Sequence, residues 1–493
     1  MNRKIILKDL IFFLSILILL PGCFGGSKVQ RTETIPPTFA PTQKRTPTLT
    51  PTNVPTISIV PTQQSEVPIA TSLTPEKKEL AAGIYPVIWQ EDRIKVWMGL
   101  DEASSLDLEI NTPMAFPSPD GKFIAYINGH NIFTQNINMS ESNEIPHMAG
   151  SLDGIWAGSW SPDARYLVYS ISPVFVEGNK VKIDEKPTIF LSDLVRHTVA
   201  QITTGDLSQS GPKWSPDNKW IAFTSNRINP NNHSHGDIFI ISTNCVSDVQ
   251  SCKDSFARQL THVGLITDYA TGPSWSPDGT HLAYIYVNGR TGSGDIYLVD
   301  STWNSRNVTN TPDQDENVFS WSPDGKHLVF RRDNPLEGTD LLILDLQSSK
   351  VTNITNSPNI EEGTPYWSPD GQSITYGTDN NKSESDISIY SLKDNITKTL
   401  ANSSGGNFLF WMSVFPEISN GVKLMVSPAG HDLNLRDNPS INSNVIGKIH
   451  SGETITILAE PVSDEKNNWW KIKSDKGEGW VVGNYNWYLP VFP

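Results

Sequence analysis

Through the middle of the chain, apolar residues fall in short alternating runs and not at helical spacing. Phe123–Tyr126, Tyr166–Tyr169, Trp220–Phe223, His281–Tyr284, His327–Phe330 and Ser373–Tyr376 each read as a β-strand. A near-copy of one turn stands ahead of each: Pro117-Ser-Pro-Asp-Gly121, Trp160-Ser-Pro-Asp-Ala164, Trp214-Ser-Pro-Asp-Asn218, Trp275-Ser-Pro-Asp-Gly279, Trp321-Ser-Pro-Asp-Gly325 and Trp367-Ser-Pro-Asp-Gly371. Proline presets φ at the second position, the Asp side chain bonds its own backbone, and glycine takes positive φ. Asn218 tolerates that conformation; Ala164 does so poorly, so its turn is expected to differ. A second strand follows an aspartate at Asp237–Ile240, Asp295–Leu298, Asp340–Ile343 and Asp386–Ile389. A third, shorter run appears at Arg258–Thr261, Asn307–Thr309 and Asn353–Thr355.

The first residues of the six turns are 43, 54, 61, 46 and 46 positions apart. A period of about 45 with β composition is that of a four-stranded propeller blade. The pattern resembles the TolB-like β-propellers over about residues 83–416. The resemblance implies blades ordered strand A, the Ser-Pro-Asp turn, then strands B, C and D. The two ends of this region look incomplete. Residues 85–110 offer three strands and no turn motif, and residues 407–415 look like a lone strand A. Together they make one blade, closed by pairing the two ends, which removes exposed sheet edges. Seven blades are therefore favoured; six, the count typical of TolB itself, is the alternative.

Residues 423–493 change character. Asp432–Arg436, Val445–Ile449, Ile455–Ile457, Trp469–Ile472 and Gly479–Val482 are short strands between turns. Their order is similar to the bacterial SH3-like domain, a small β-barrel. The resemblance implies binding to cell-wall peptides, to proteins or to itself, with Trp470, Trp480 and Tyr485 as candidate contacts. Core packing competes with recognition for Trp470 and Trp480, whereas Tyr485, Trp487 and Tyr488 are expected to be partly exposed.

The N-terminus reads as an address. Arg3, Lys4 and Lys8 precede an apolar run, Leu10–Leu20, too short to span a bilayer. Leu20-Pro21-Gly22-Cys23 resembles the bacterial lipobox, with Pro21 departing from the usual small residue. This implies a signal peptide at 1–22 and a diacylglyceryl anchor on Cys23. Residues 23–82 form a tether: 12 Thr and 9 Pro fall between Arg31 and Pro75, with no hydrophobic period.

Composition narrows the function. The chain has 493 residues and a net charge of −15, which argues against sequence-independent nucleic-acid binding. Three cysteines exclude a disulfide scaffold or a multi-cysteine zinc module. With Cys23 lipidated, Cys245 and Cys252 are expected to pair in an exported protein. There is no G-x-S-x-G elbow, H-E-x-x-H or P-loop. His233, His235 and Asp237 could hold a metal, but an exposed polar loop is the simpler reading. Asp313, Asp315 and Glu316 lack the spacing of an EF-hand loop.

The connections from strand D to the next strand A carry Asp206, Asp268, Asp313, Asp315, Glu316, Glu361 and Glu362. They share a face with the B–C loops, of which 171–187 and 226–236 are the longest. An acidic rim there would bind a basic or cationic partner; ordinary solvated loops are the competing reading. The expectation is an extracytoplasmic, lipid-anchored, non-catalytic binding protein without a cofactor, contacting cell-wall peptide or glycan or an envelope protein. The alternative is a propeller hydrolase or lyase using acids at the channel mouth, with calcium.

Overall fold

A computed structural model describes residues 82–490 except 98–104, 109, 129–130, 139–141, 146–154, 173, 178–179, 184–185, 204–206, 228–235, 246–256, 264–266, 335–337, 359, 380–385, 401–406, 428–432 and 464–466. The signal and tether segments, Cys23 included, lie outside the described residues.

Seven antiparallel sheets form the blades of a ring, six of them four-stranded and the seventh five-stranded, because its strand A is split into Glu361–Glu362 and Tyr366–Trp367. Blade 1 takes its strand A, Asn407–Val414, from the far end of the propeller sequence. Its other strands are Gly83–Gln90, Arg93–Trp97 and Ser105–Leu108. Gly83 lies opposite Val414 and Trp89 opposite Asn407, with a bulge at Val87/Ile88. Blades 2 to 7 follow in sequence order, each built around one copy of the turn. The expected closure by the two ends is thus realised, and the blade count is seven. The insertion at 171–187 in blade 3 contains a hairpin, Val174–Glu177 paired with Lys180–Ile183.

The core explains the apolar runs. Each strand B sends alternate side chains to its two neighbouring blades. Ile124 and Tyr126 pack towards blade 1, whereas Ala125 and Ile127 pack with Trp160 and Leu167 of blade 3. The same division recurs around the ring, one cluster per junction, down to Ile387 and Ile389 of blade 7 against Ile88, Trp97 and Phe408 of blade 1. A strand covered on both faces must be apolar at nearly every position.

The turn is one repeated network. In blade 6, Ser322 Oγ donates to Asp324 Oδ1 at 2.6 Å and accepts from the His327 amide at 2.9 Å. The Lys326 amide donates to the same Asp324 oxygen at 3.0 Å, and the Gly325 amide to the Ser322 carbonyl at 2.9 Å. The blade 3 turn does not differ as expected. Ala164 adopts φ +59°, beside +68° for Gly325, and its amide donates to Ser161 O at 2.9 Å. Ser161 and Asp163 hold the alanine in place through a 2.6 Å bond and a 2.9 Å bond to the Tyr166 amide. Several bonds outweigh the cost of one non-glycine residue at positive φ.

The tryptophans of the turn lie between blades. Trp160, Trp275 and Trp321 donate Nε1–H to the carbonyls of Phe116, Lys213 and Ser274, each on the preceding strand A, at 3.1 Å. Trp214 instead donates to Asn218 Oδ1, the side chain that replaces the turn glycine.

Beyond the ring, Lys423–Val426, Leu433–Arg436, Val445–Ile449, Thr454–Ile457, Asn468–Ser474, Gly477–Val482 and Tyr488–Pro490 form one further antiparallel sheet. It surrounds its own core of Leu424, Leu435, Ile455, Ile472 and Val481. No α-helix is present among the described residues.

Candidate functional site

The expected acidic rim resolves into acids with different surroundings. Asp268 is buried, accepting Tyr286 Oη–H at 2.5 Å and the Gly289 amide at 3.0 Å. Glu316 is fully buried; its Oε1 accepts from Thr311 Oγ1 at 2.6 Å and from Arg332 Nε at 2.9 Å. Glu362 is buried, bonded to Ser357 Oγ and, at 2.9 Å, to Thr339 Oγ1. Asp315 is part-buried and accepts the Gly294 amide at 2.8 Å. Burial pushes the carboxyls of Asp315, Glu316 and Glu362 above their usual range, against the pull of these donors. Only Asp313 and Glu361 of the set are exposed among the described residues. Asp206, His233 and His235 lie outside them. The expected acidic rim is therefore reduced: Asp268, Glu316 and Glu362 turn inward and satisfy hydroxyls, an amide and a guanidinium that burial would otherwise leave unpaired, while Asp313 and Glu361 face solvent.

A second set of acids on this face, read from the sequence only as strand openings with Asp237 also a metal candidate, is bonded to threonines. Thr261 Oγ1 donates to Asp237 Oδ1 at 2.6 Å and accepts the Ile238 amide at 2.8 Å. Thr309 and Asp295, with the Ile296 amide, repeat the arrangement at 3.1 and 3.0 Å. Thr355 and Asp340, with the Leu341 amide, repeat it again at 3.4 and 2.9 Å. The signal was the aspartate near the start of strand C in blades 4, 5 and 6, paired with the threonine that closes the short third run. This clamp fixes the loop face of the ring.

In the SH3-like sheet, Trp470 is 1% exposed and Tyr488 likewise 1%. Their rings lie 4.7 Å apart, and Tyr488 Oη–H donates to the Val482 carbonyl at 2.8 Å. Neither presents a surface, which corrects the candidate role of Trp470 and the expected exposure of Tyr488. Both rings are part of the core that this sheet surrounds. Trp480 is half-buried. Tyr485 packs edge-on against Trp470 at 5.3 Å and Phe415 at 5.2 Å. Burial, and after it the Asp120 carboxylate, raise the Tyr485 hydroxyl above the ordinary phenol range. The outward apolar surface lies elsewhere: Ile441, Val445 and Ile446 are 58%, 48% and 52% exposed, on the hairpin that ends in the edge strand Val445–Ile449.

The SH3-like sheet sits against the Ser-Pro-Asp turns. Asn484 Nδ2 donates to the Pro216 carbonyl at 2.7 Å, and Trp487 Nε1 to the Pro277 carbonyl at 3.3 Å. A groove of about 350 Å³ runs between the two, lined by Asp163, Asp217, Lys219 and Asp278 on one side and Arg436 and Ile441 on the other. Lys219 pairs with Asp217 at 2.8 Å. Burial alone would raise the Asp278 carboxyl; the Ser276 hydroxyl and Thr280 amide hold it below the usual carboxylate range. Its carboxylates and amides suit polar contacts, and no cluster of metal-ligating residues occurs among the described residues. Cys245 lies in a short 3₁₀ turn after strand C of blade 4, and Cys252 lies outside the described residues.

Comparison with known proteins agrees with this architecture. The TolB beta propeller domain matches residues 249–419, and the bacterial SH3 domain matches residues 431–490. No curated protein matches the chain significantly. Among solved structures, TolB from Acinetobacter baumannii is 20% identical with a TM-score of 0.38, over 60% of this chain and 65% of its own. The chain thus spans less than two thirds of that relative. A puromycin-hydrolyzing peptidase from Mycobacterium tuberculosis is 10% identical with a TM-score of 0.50, covering 78% of this chain and 60% of its own. An oligogalacturonate lyase from Vibrio parahaemolyticus is 15% identical with a TM-score of 0.47, over 60% and 82%. At such identities the likeness is one of fold alone. The chain is accordingly a seven-bladed β-propeller in which residues 249–419 match the TolB beta propeller domain, followed by a β-sheet in which residues 431–490 match the bacterial SH3 domain.

Proposed function

We propose that this protein is a lipid-anchored, extracytoplasmic binding protein of the cell envelope, without catalytic activity. In this reading Cys23 carries the anchor, the tether spaces the ring from the membrane, and Cys245 pairs with Cys252. The D–A and B–C loop face recognises a protein or glycan, and the SH3 domain contacts wall material. The observation that carries the reading is the bonding of the loop acids. Asp268, Glu316 and Glu362 are engaged by hydroxyl, amide and guanidinium donors, so they support a rigid recognition surface. The exposed Ile441, Val445 and Ile446 supply the apolar part of a contact on the SH3 domain.

Cosedimentation of the full chain with isolated cell-wall sacculi tests this. The full chain should pellet. Val445→Ser with Ile446→Ser should reduce pelleting, because both side chains are exposed and their loss spares the fold. Asp313→Asn with Glu361→Gln should leave pelleting unchanged but weaken capture of a basic partner by the loop face. Absence of the wild-type chain from the pellet would overturn the wall contact.

A further inference from the structure

We propose that the SH3 domain is a fixed cap over one mouth of the propeller, leaving the opposite mouth as the entry to the ring. This goes beyond the binding reading and does not depend on it.

The strands A pack side by side around the ring axis, as Gln209–Trp214 does with its counterparts Ile155–Trp160 and Tyr269–Trp275. The Ser-Pro-Asp turns that follow them therefore surround one end of the channel. The SH3 domain reaches these turns on several consecutive blades. Asn484 bonds the Pro216 carbonyl in blade 4, and Trp487 bonds the Pro277 carbonyl in blade 5. Pro162 and Asp163 of blade 3 line the groove beneath it. Asp120 of blade 2 lies close enough to act on Tyr485. In blade 1, strand A ends at Val414, and the next side chain, Phe415, enters the SH3 core together with Ile418.

Two features make this docking specific. Asn484 is only 3% exposed, so its amide meets the ring as a desolvated group. Each acceptor is a proline carbonyl held in a turn by the repeated Ser–Asp bonds, so it is preorganised. The chain also enters and leaves the ring on this same side, because Gly83 and Val414 are opposite partners in blade 1. The loops between D and A and between B and C lie at the other end, and they hold Asp313 and Glu361.

Hydrogen exchange of the full chain tests the cap, with an internal control. The turns at 216–219 and 277–280 share their sequence plan with those at 323–326 and 369–372, which make none of the contacts named above. Docking should slow exchange in the first pair about tenfold or more relative to the second, the protection expected from about 1.4 kcal/mol of extra closing energy. Trp487→Phe combined with Asn484→Ser should erase that difference while peptides covering 468–474 stay protected. If those peptides also lose protection, the wild-type comparison between turns decides alone. Equal exchange at all four turns in the wild-type chain would overturn the proposal.

Discussion

At Ala164 a β-carbon occupies a backbone conformation that five sibling turns give to glycine or asparagine. Ala164→Gly should therefore stabilise the protein by about 1 kcal/mol in chemical denaturation, less the extra flexibility glycine brings to the unfolded chain. The reverse change is unequal around the ring. A β-carbon at Gly325 would meet only Pro277 at 3.7 Å, whereas at Gly121 it would lie 1.8 Å from the Ser413 carbonyl oxygen. Gly121→Ala should consequently be much the more damaging, since the backbone of blade 1 must move. Lys213 offers a pH-dependent test. Burial pulls its amine below the usual lysine value of 10.5. The folded chain thus binds fewer protons there than the unfolded chain between the folded value and 10.5, so the penalty is absent above 10.5, grows as pH falls from 10.5 to the folded value, and is full below it. Lys213→Met should raise the melting temperature at neutral pH, and the gain should shrink as pH approaches 10.5.

At the scale of the blade, the turn tryptophans separate packing from hydrogen bonding. Trp321 and Trp367 are both 8% exposed, yet Trp321 Nε1 donates to Ser274 O while Trp367 Nε1 is buried without a partner. Substituting each with Phe removes similar ring area. Trp321→Phe should cost about 1–2 kcal/mol more than Trp367→Phe, the net worth of one hydrogen bond plus an orphaned carbonyl. The blade was legible in the sequence because its signals are local: a turn at fixed offset, then alternation, repeated. Closure was legible because the leftover strands at 85–110 and 407–415 complement each other. The surroundings of Glu316 and Glu362 were not, since a carboxylate's partners, Arg332 and Thr339 here, come from other strands. Trp470 and Tyr488 read ambiguously for the same reason: an aromatic ring in a small barrel suits core and surface equally until its neighbours are known. The Asp–Thr clamp was visible in outline, as recurring aspartates and threonines, but their pairing spans 14 to 24 residues and needed the fold.

For the whole molecule, the N-terminal reading makes a direct prediction. Cys23→Ser should move the protein from the membrane fraction to the soluble fraction without altering its thermal unfolding, because some sixty residues of sequence separate Cys23 from the first blade strand at Gly83. The docking of the SH3 domain could not be read from sequence, since Asn484, Trp487 and the proline carbonyls carry no motif. Ring closure also has a mechanical side. The tether enters at Gly83 and the SH3 domain leaves after Val414, and these two residues face one another at the same end of an antiparallel pair. Tension between an anchored N-terminus and an SH3 domain held by the wall would bypass six blades and fall on this pair. It would act in the unzipping direction, breaking backbone bonds one at a time from Gly83 towards Trp89. Blade 1 would then be the link that yields first under load, and each bond between the SH3 domain and the neighbouring turns would share the force and delay that opening.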